Sequence, residues 1–158
     1  MSLLQRLLGR SDVYFGESVY MRRWRLIHRA LFGVRRHQIV RSDADRELHD
    51  HPFSFVSIIL RGGYYEHTVD GRKTWYGPGS IIFRSASALH RLELLRERDG
   101  AFDHFSTERP AWTLVLRGPI RREWGFLCGD TWVPWQRFVA DRYKVAKRDR
   151  PFVSAASL

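Results

Sequence analysis

The sequence predicts a single all-β domain, folded as a small barrel. Short aromatic and β-branched runs, separated by turn residues, follow one another through most of its 158 residues. Within such runs polar and apolar residues alternate, so that His90, Leu92 and Leu94 share one face while Arg91 and Glu93 point to water. An aromatic content of 14%, with six Trp, suits the core of one domain of this length.

The elements can be placed in chain order. Leu3, Leu4, Leu7 and Leu8 recur at helical spacing, which predicts a short N-terminal helix within residues 1–12 that ends near Gly9. Residues 13–140 are assigned to the barrel and residues 141–158 to a basic tail. The candidate strands are Val13–Phe15, Trp24–Ile27, Val34–Val40, Phe53–Leu60, Tyr64–Val69, Arg72–Trp75, Ser80–Phe83, His90–Leu95, Trp112–Leu116, Glu123–Phe126 and Trp135–Val139.

Turn and loop signals separate these strands. Asp70-Gly71 predicts a hairpin closed by a type I′ turn, because both residues accept positive φ. The segment from Glu97 to Pro110 is interpreted as a polar loop. The single cysteine, Cys128, excludes an intrachain disulfide and is interpreted as a half-buried apolar residue.

The charge balance is strongly basic, with a net charge of +10. Such a chain attracts polyanions, but the arginines are spread along it and no nucleic-acid-binding motif is present. Nucleic acid is therefore an unfavoured partner that charge alone does not exclude. No apolar stretch is long enough for a signal peptide or a membrane span, so the expected location is cytoplasmic.

A metal site is predicted from three histidines. In Leu48-His49-Asp50-His51-Pro52 the alternation of an extended strand points His49 and His51 to the same side, and His90 faces inward from its own strand. Histidine spacing of this kind is typical of a metal centre. The remaining histidines, His28, His37, His67 and His104, are expected on the surface or in structural roles.

These motifs resemble the cupins over roughly Asp43 to Leu94. His49-Asp50-His51, four residues, Val56, six residues and Gly63 keep the spacing of the first cupin motif, with Val56 in place of the glutamate ligand. Gly79, Ser85-Ala86-Ser87 and His90 correspond to the second motif, of which the first glycine and the histidine survive. The segments 41–64 and 122–126 resemble small uncharacterised bacterial and phage cupins. The resemblance implies a double-stranded β-helix, or jelly-roll, barrel and the metal ligands His49, His51 and His90.

The shell of three histidines is similar to that of the thiol dioxygenases, cupins that also lack the motif glutamate. That likeness implies Fe(II) as the cofactor. Neutral imidazoles also suit Zn, Ni, Mn or Cu, and three protein ligands leave positions open for substrate.

Three further side chains are predicted to take part in a reaction. Glu66 is a candidate fourth ligand or acid-base group, with an ordinary carboxylate beside the site as the alternative. Tyr64 is a candidate for the barrel mouth or for the core, as are Tyr65, Trp75 and Tyr76. Arg61 is a candidate for binding an anionic substrate, because a guanidinium matches a carboxylate or phosphate. Arg41 and Arg84 are considered for the same task.

Other side chains are assigned to support. Asp43 and Asp45 lie near enough in sequence to orient a histidine ligand, whereas Asp50 should face away and pair with an arginine such as Arg46. The tryptophans of the C-terminal third, Trp112, Trp124, Trp132 and Trp135, are expected in the core, or alternatively at a dimer face or ligand platform.

The leading hypothesis is a metal-dependent cupin enzyme, a non-haem Fe(II) oxygenase of dioxygenase type that acts on a small anionic substrate. One alternative is a Zn or Ni isomerase or hydrolase with Glu66 as acid-base group. The other is a non-catalytic cupin that binds a small molecule or an anion. A homodimer is expected from the cupin resemblance.

Overall fold

The computed structural model describes residues 9–15, 18–43, 47–97 and 107–140. The predicted N-terminal helix, His104 and the basic tail lie outside these residues, as do Asp45 and Arg46. Among the described residues, no helix has the length and apolar character needed to cross a membrane.

Six antiparallel strands form the first sheet, in the order β1-β2-β3-β12-β5-β8. Their bounds are β1 Arg10–Phe15, β2 Ser18–His28, β3 Gly33–Ile39, β5 Phe55–Arg61, β8 Ile81–Arg84 and β12 Ala111–Arg117. The inner face of this sheet is set by alternation on β12, where Ala111, Thr113, Val115 and Arg117 are all buried.

The second sheet also has six strands, in the order β14-β13-β4-β9-β6-β7. Their bounds are β4 Leu48–His49, β6 Tyr64–Thr68, β7 Lys73–Tyr76, β9 His90–Leu94, β13 Gly125–Cys128 and β14 Thr131–Pro134. Two short strands, β10 Arg96–Glu97 and β11 Thr107–Glu108, pair with each other at the base of the predicted polar loop. A short helix, α1, covers residues 135–140.

The two large sheets pack face to face around an apolar core at one end of the barrel. Met21, Ile39 and Ile59 come from the first sheet, and Tyr64 and Leu94 come from the second. Ile59 is 1% exposed and Leu94 is 2% exposed, so each contributes about 2–3 kcal/mol by burial.

The outer face of the first sheet is also apolar. Phe83 pairs with Val56, Val56 with Leu116 and Leu116 with Val34, which places four apolar side chains in a row across the sheet. Phe83 is 64% exposed and Leu116 is 43% exposed. We call this row, with the exposed Ile81 beside it, the outer apolar face.

The strand predictions need corrections at several places. The predicted strand Trp135–Val139 is wrong, because residues 135–140 are helical and bury Phe138 against Phe126, with ring centroids 4.0 Å apart. The first barrel strand starts at Arg10 rather than at Val13, so the barrel extends into the predicted arm. The strand predicted at Glu123–Phe126 lies at Gly125–Cys128.

The predicted hairpin between β6 and β7 is present, but its turn is of another type. Gly71 has a φ of 78°, whereas no described residue other than glycine has a positive φ, which excludes a type I′ turn. The Gly71 amide donates to the Thr68 carbonyl at 3.0 Å, and the Thr68 amide donates to the Arg72 carbonyl at 3.1 Å. This is a three-residue loop in which Gly71 forms the bulge.

Candidate metal centre

Three histidines converge between neighbouring strands of the second sheet. His49 on β4 lies directly opposite His90 on β9. His51 follows β4, and its amide donates to the Ala86 carbonyl at 3.0 Å. One ligand nitrogen from each ring lies within 4.8 Å of the other two, and Nε2 of His51 lies 2.8 Å from Nε2 of His90. We call this end of the barrel the histidine end.

Aromatic rings line the histidines. The Phe55 ring meets the His51 ring edge-on at 4.8 Å between centroids, and the rings of Phe126 and Trp124 lie 5.9 and 6.5 Å from that of His49. Burial among them lowers the pKa of His49 to about 4 and lowers the pKa of His51 well below its ordinary value. Both rings are therefore neutral at neutral pH, which is the form that binds a metal ion.

Glu66 fixes the orientation of His90. Its Oε1 lies 2.5 Å from Nδ1 of His90, so this nitrogen donates its proton to the carboxylate and leaves Nε2 free as a ligand atom. Arg84 donates Nε to the same oxygen at 2.9 Å and also contacts Oε2. Burial alone would raise the pKa of Glu66, but the hydrogen bonds from His90 and Arg84 lower it. Glu66 thus supports a ligand and lies outside the group of three ligand atoms.

Asp50 faces away from the histidines, as its position between them predicts. It is 2% exposed and accepts hydrogen bonds from the Gly125 amide at 2.8 Å and from Nε1 of Trp132 at 3.0 Å. It forms an ion pair with Arg122, and the predicted partner Arg46 lies outside the described residues. These contacts tie the turn between His49 and His51 to β13 and β14.

Asp43 lies on the other side of His49. Its Oδ2 is 3.8 Å from Nδ1 of His49 and accepts a hydrogen bond from the Leu92 amide at 2.5 Å. The carboxylate is therefore fixed by β9 and lies near the His49 ring without a direct hydrogen bond to it.

Solved structures share this architecture. The polyketide cyclase RemF from Streptomyces resistomycificus matches with a TM-score of 0.54 and 16% identity, over 76% of this chain and 74% of that chain. KdgF from Halomonas sp. matches with a TM-score of 0.50 and 16% identity, over 72% of this chain and 88% of that chain. The protein has the cupin fold. At these identities the likeness concerns the fold alone. No protein-family model and no curated protein matches the sequence.

The three-histidine site fits a divalent metal ion by its donor set. Ligand nitrogens at about 2.1 Å from one ion, at right angles, lie about 3 Å apart, close to the 2.8 Å between the nitrogens of His51 and His90. The ligand atoms come from neutral imidazoles, and one of the rings is already oriented by a carboxylate. His49 keeps 14% of its side chain exposed, which leaves the site open to solvent.

Two of the predicted reaction residues lie elsewhere in the cupin barrel. Tyr64 is buried in the apolar core, where burial raises the pKa of its hydroxyl. Arg61 is exposed at one end of β5, and Phe55, which contacts His51, lies at the opposite end of that strand. The structure thus gathers His49, His51, His90 and Glu66. Tyr64 shares the buried face of β6 with Glu66 but packs in the apolar core, and Arg61 lies away from the group.

A cleft of ≈ 440 Å³ opens beside Glu66, where the terminal strands β7 and β8 of the two sheets meet. Arg84 and Tyr76 line it with Glu66, and Nη2 of Arg84 lies 3.2 Å from the Tyr76 hydroxyl. Arg84 therefore holds Glu66, whereas the sequence indicated it as a candidate for binding an anion. The position of Arg84 could not be found from spacing, because it depends on the meeting of two separate sheets.

Proposed function

We propose that the protein is a metal-dependent cupin enzyme that acts on a small anionic substrate. The observation that carries this proposal is the convergence of three histidine nitrogens, one of them on a ring oriented by Glu66. A carboxylate so placed raises the basicity of the ligand it contacts. Histidines that only filled the barrel interior would have no need of the buried Glu66 carboxylate against the His90 ring.

Fe(II) is the metal that we propose, with an oxygenase reaction of dioxygenase type. Bound Fe(II) would supply open coordination positions and redox chemistry, whereas Zn or Ni would supply Lewis acidity. All the candidate ligand atoms are nitrogens, and Glu66 is occupied by His90 and Arg84, so positions remain open for other ligands.

The protein's own groups would hold and shield the site. Phe55, Phe126 and Trp124 pack against the rings of His51 and His49, and Glu66 holds the proton of His90 at Nδ1. Glu66 is a poor acid-base group, because its pKa is lowered and both oxygens are engaged. Its engagement disfavours the alternative of a Zn or Ni isomerase or hydrolase that uses Glu66 for proton transfer.

Metal content is the first test. We expect tag-free protein to hold about one metal ion per chain, and the double variant His49→Ala/His90→Ala to lose it. His67→Ala is the matched control, because His67 also contacts a carboxylate, Glu93 at 2.7 Å, but lies outside the three-histidine group. Absence of metal from the wild-type protein, even after reconstitution, would favour a non-catalytic binding protein.

The reaction class is tested with the reconstituted protein. Anaerobically loaded Fe(II) protein is mixed with oxygen and a panel of thiols, amino acids and phenols, and oxygen uptake is followed with an electrode. Uptake that needs both Fe(II) and one substrate supports the oxygenase. Full turnover with Zn under anaerobic conditions would contradict it and would support Lewis-acid chemistry.

A further inference from the structure

Four side chains with basic nitrogens lie on the inner face of the first sheet. Arg23 pairs with His37 and Arg25 pairs with Arg35 across β2 and β3, and these pairs continue to the buried Thr113 and Val115 of β12. Directly paired residues point to the same side of a sheet, so all four face the barrel interior. We call Arg23, Arg25, Arg35 and His37 the basic cluster.

The basic cluster has no counter-charge within the described part of the chain. None of its members forms an ion pair there, and Nε of Arg23 and Nε2 of His37 are buried without a hydrogen-bond partner. Glu66 and Asp50 are committed to Arg84 and Arg122, and Asp43 accepts from the Leu92 amide and lies beside His49 rather than in an ion pair with the cluster. Burial and then the charge of Arg23 lower the pKa of Arg35 to about 10, as expected for cations that meet only cations.

The cluster lies beside the metal centre and within reach of solvent. The Arg35 guanidinium is 5.2 Å from the centroid of the Phe53 ring, and the His51 ring stacks on the same residue at 6.2 Å. Arg25 is exposed, and Arg23 and Arg35 are half-buried. An anion can therefore meet the guanidinium groups from solvent while it lies close to His51.

We propose that the basic cluster is the binding site for a doubly charged oxyanion, such as the phosphate group of a small substrate, at the histidine end of the barrel. The proposal rests on the proposed function, since it names the chemical class of the substrate for that site.

Charge and geometry favour this ligand class. Guanidinium groups match the oxygens of a phosphate with paired N–H donors. A singly charged carboxylate would leave two of the three arginine charges uncompensated, whereas a phosphate dianion neutralises two of them. Burial lowers the pKa of His37 to about 3, so its ring is neutral and contributes a hydrogen-bond donor rather than a charge.

The test is calorimetric titration of inorganic phosphate into metal-free protein at constant ionic strength. We expect wild-type protein to bind phosphate and Arg35→Met to bind it at least about tenfold more weakly, as for the loss of a charged hydrogen-bond donor. Arg36→Met is the matched control. Arg36 neighbours Arg35 on β3 but lies over the Trp24 ring at 4.5 Å, so its loss should leave phosphate affinity within about twofold.

Melting temperatures give a second measurement that stays informative if a variant binds nothing. Without phosphate, Arg35→Met should melt at a higher temperature than wild-type protein, because it removes a half-buried cation without a counter-charge. Absence of phosphate binding to wild-type protein, or equal losses in the Arg35 and Arg36 variants, overturns the inference. Metal content of the same proteins, measured after purification and before the metal is removed for the titration, separates the two proposals. A protein that holds metal but binds no phosphate removes this inference alone, and one that binds phosphate but never takes up metal removes the metal centre alone.

Discussion

Replacement of Glu66 by Gln should weaken metal binding without removing a ligand. Glu66 is 2% exposed, and its Oε1 accepts a hydrogen bond from His90 at 2.5 Å and another from Arg84 at 2.9 Å. Gln keeps the shape of the side chain but loses the negative charge. Its NH₂ group, a hydrogen-bond donor, would face an N–H donor of either His90 or Arg84. The variant therefore disturbs the His90 ring and leaves Arg84 without its counter-charge.

The expected magnitudes follow from these contacts. Loss of a carboxylate that supports a metal ligand weakens metal affinity by about 10–100-fold, or about 1.4–2.7 kcal/mol. Removal of one partner from a buried ion pair costs about 3–5 kcal/mol of unfolding free energy. Because the Arg84 side chain keeps 20% exposure and can recruit water, we expect about 3 kcal/mol, at the lower end of that range.

Competition with a chromogenic chelator measures the affinity, and urea unfolding of the metal-free protein measures the stability. Glu93→Gln is the matched control, because Glu93 binds His67 and Lys73 but is 36% exposed, so its loss should cost under about 1 kcal/mol. Equal metal affinity in the Glu66 and Glu93 variants would refute the role assigned to Glu66.

Three other predictions concern pH and packing. In metal-free protein, the lowered pKa values of His49, about 4, and of His51 keep both rings neutral where an unfolded chain is protonated. Unfolding free energy should therefore fall on the order of 1 kcal/mol per pH unit per histidine from about pH 6.5 towards pH 4, and a flat urea-unfolding profile would contradict this. Asp50→Ala should lower the unfolding free energy by about 3 kcal/mol, because it removes the counter-charge of Arg122, which is 34% exposed, and leaves two further donors without an acceptor. Unfolding that differs little from wild type would contradict that account. Gly63→Ala should lower the melting temperature far more than Gly79→Ala. A Cβ at Gly63 would lie 2.6 Å from the Trp75 ring, whereas one at Gly79 would contact nothing. Gly79→Ala therefore carries only the penalty for a positive φ, about 1–2 kcal/mol.

The convergence of the three histidines could be predicted from sequence because the signal is local. His49 and His51 reach one point through alternation, and the same alternation turns Asp50 outward. His90 is buried together with Leu92 and Leu94, as the pattern of β9 predicts. Period and spacing were enough for His49 and His90, which lie on β4 and β9. His51 lies just past β4, where its amide hydrogen bond to the Ala86 carbonyl keeps the chain extended.

The partners of the carboxylates could not be predicted in this way. Glu66 meets Arg84 across the junction of the two sheets, and Asp50 meets Arg122 from a segment more than seventy positions away. Such contacts depend on the final arrangement of the barrel. Proximity in sequence suggested Arg46 for Asp50, but Arg46 lies outside the described residues, and spacing gave no sign of Arg122.

Strand β3 shows a different failure. The outward residues Val34, Arg36 and Gln38 are no more polar than the inward Arg35 and His37. The alternation of polar and apolar residues therefore does not indicate which face of β3 points into the barrel. The strand predicted for the C-terminal segment was wrong for a related reason, because the pattern of Trp135–Val139 suits a strand or a helix equally well. Only its packing, with Phe138 on Phe126, decides for the helix.

The outer apolar face has a practical consequence for the unfolding measurements named above. Dyes that fluoresce on contact with apolar surface are commonly used to report unfolding. Ile81, at 72% exposure, and Phe83, at 64%, would offer such a dye a docking place on the intact barrel. Folded protein should therefore show a high initial signal in a dye-monitored melt, and intrinsic tryptophan fluorescence or circular dichroism will report its stability more faithfully.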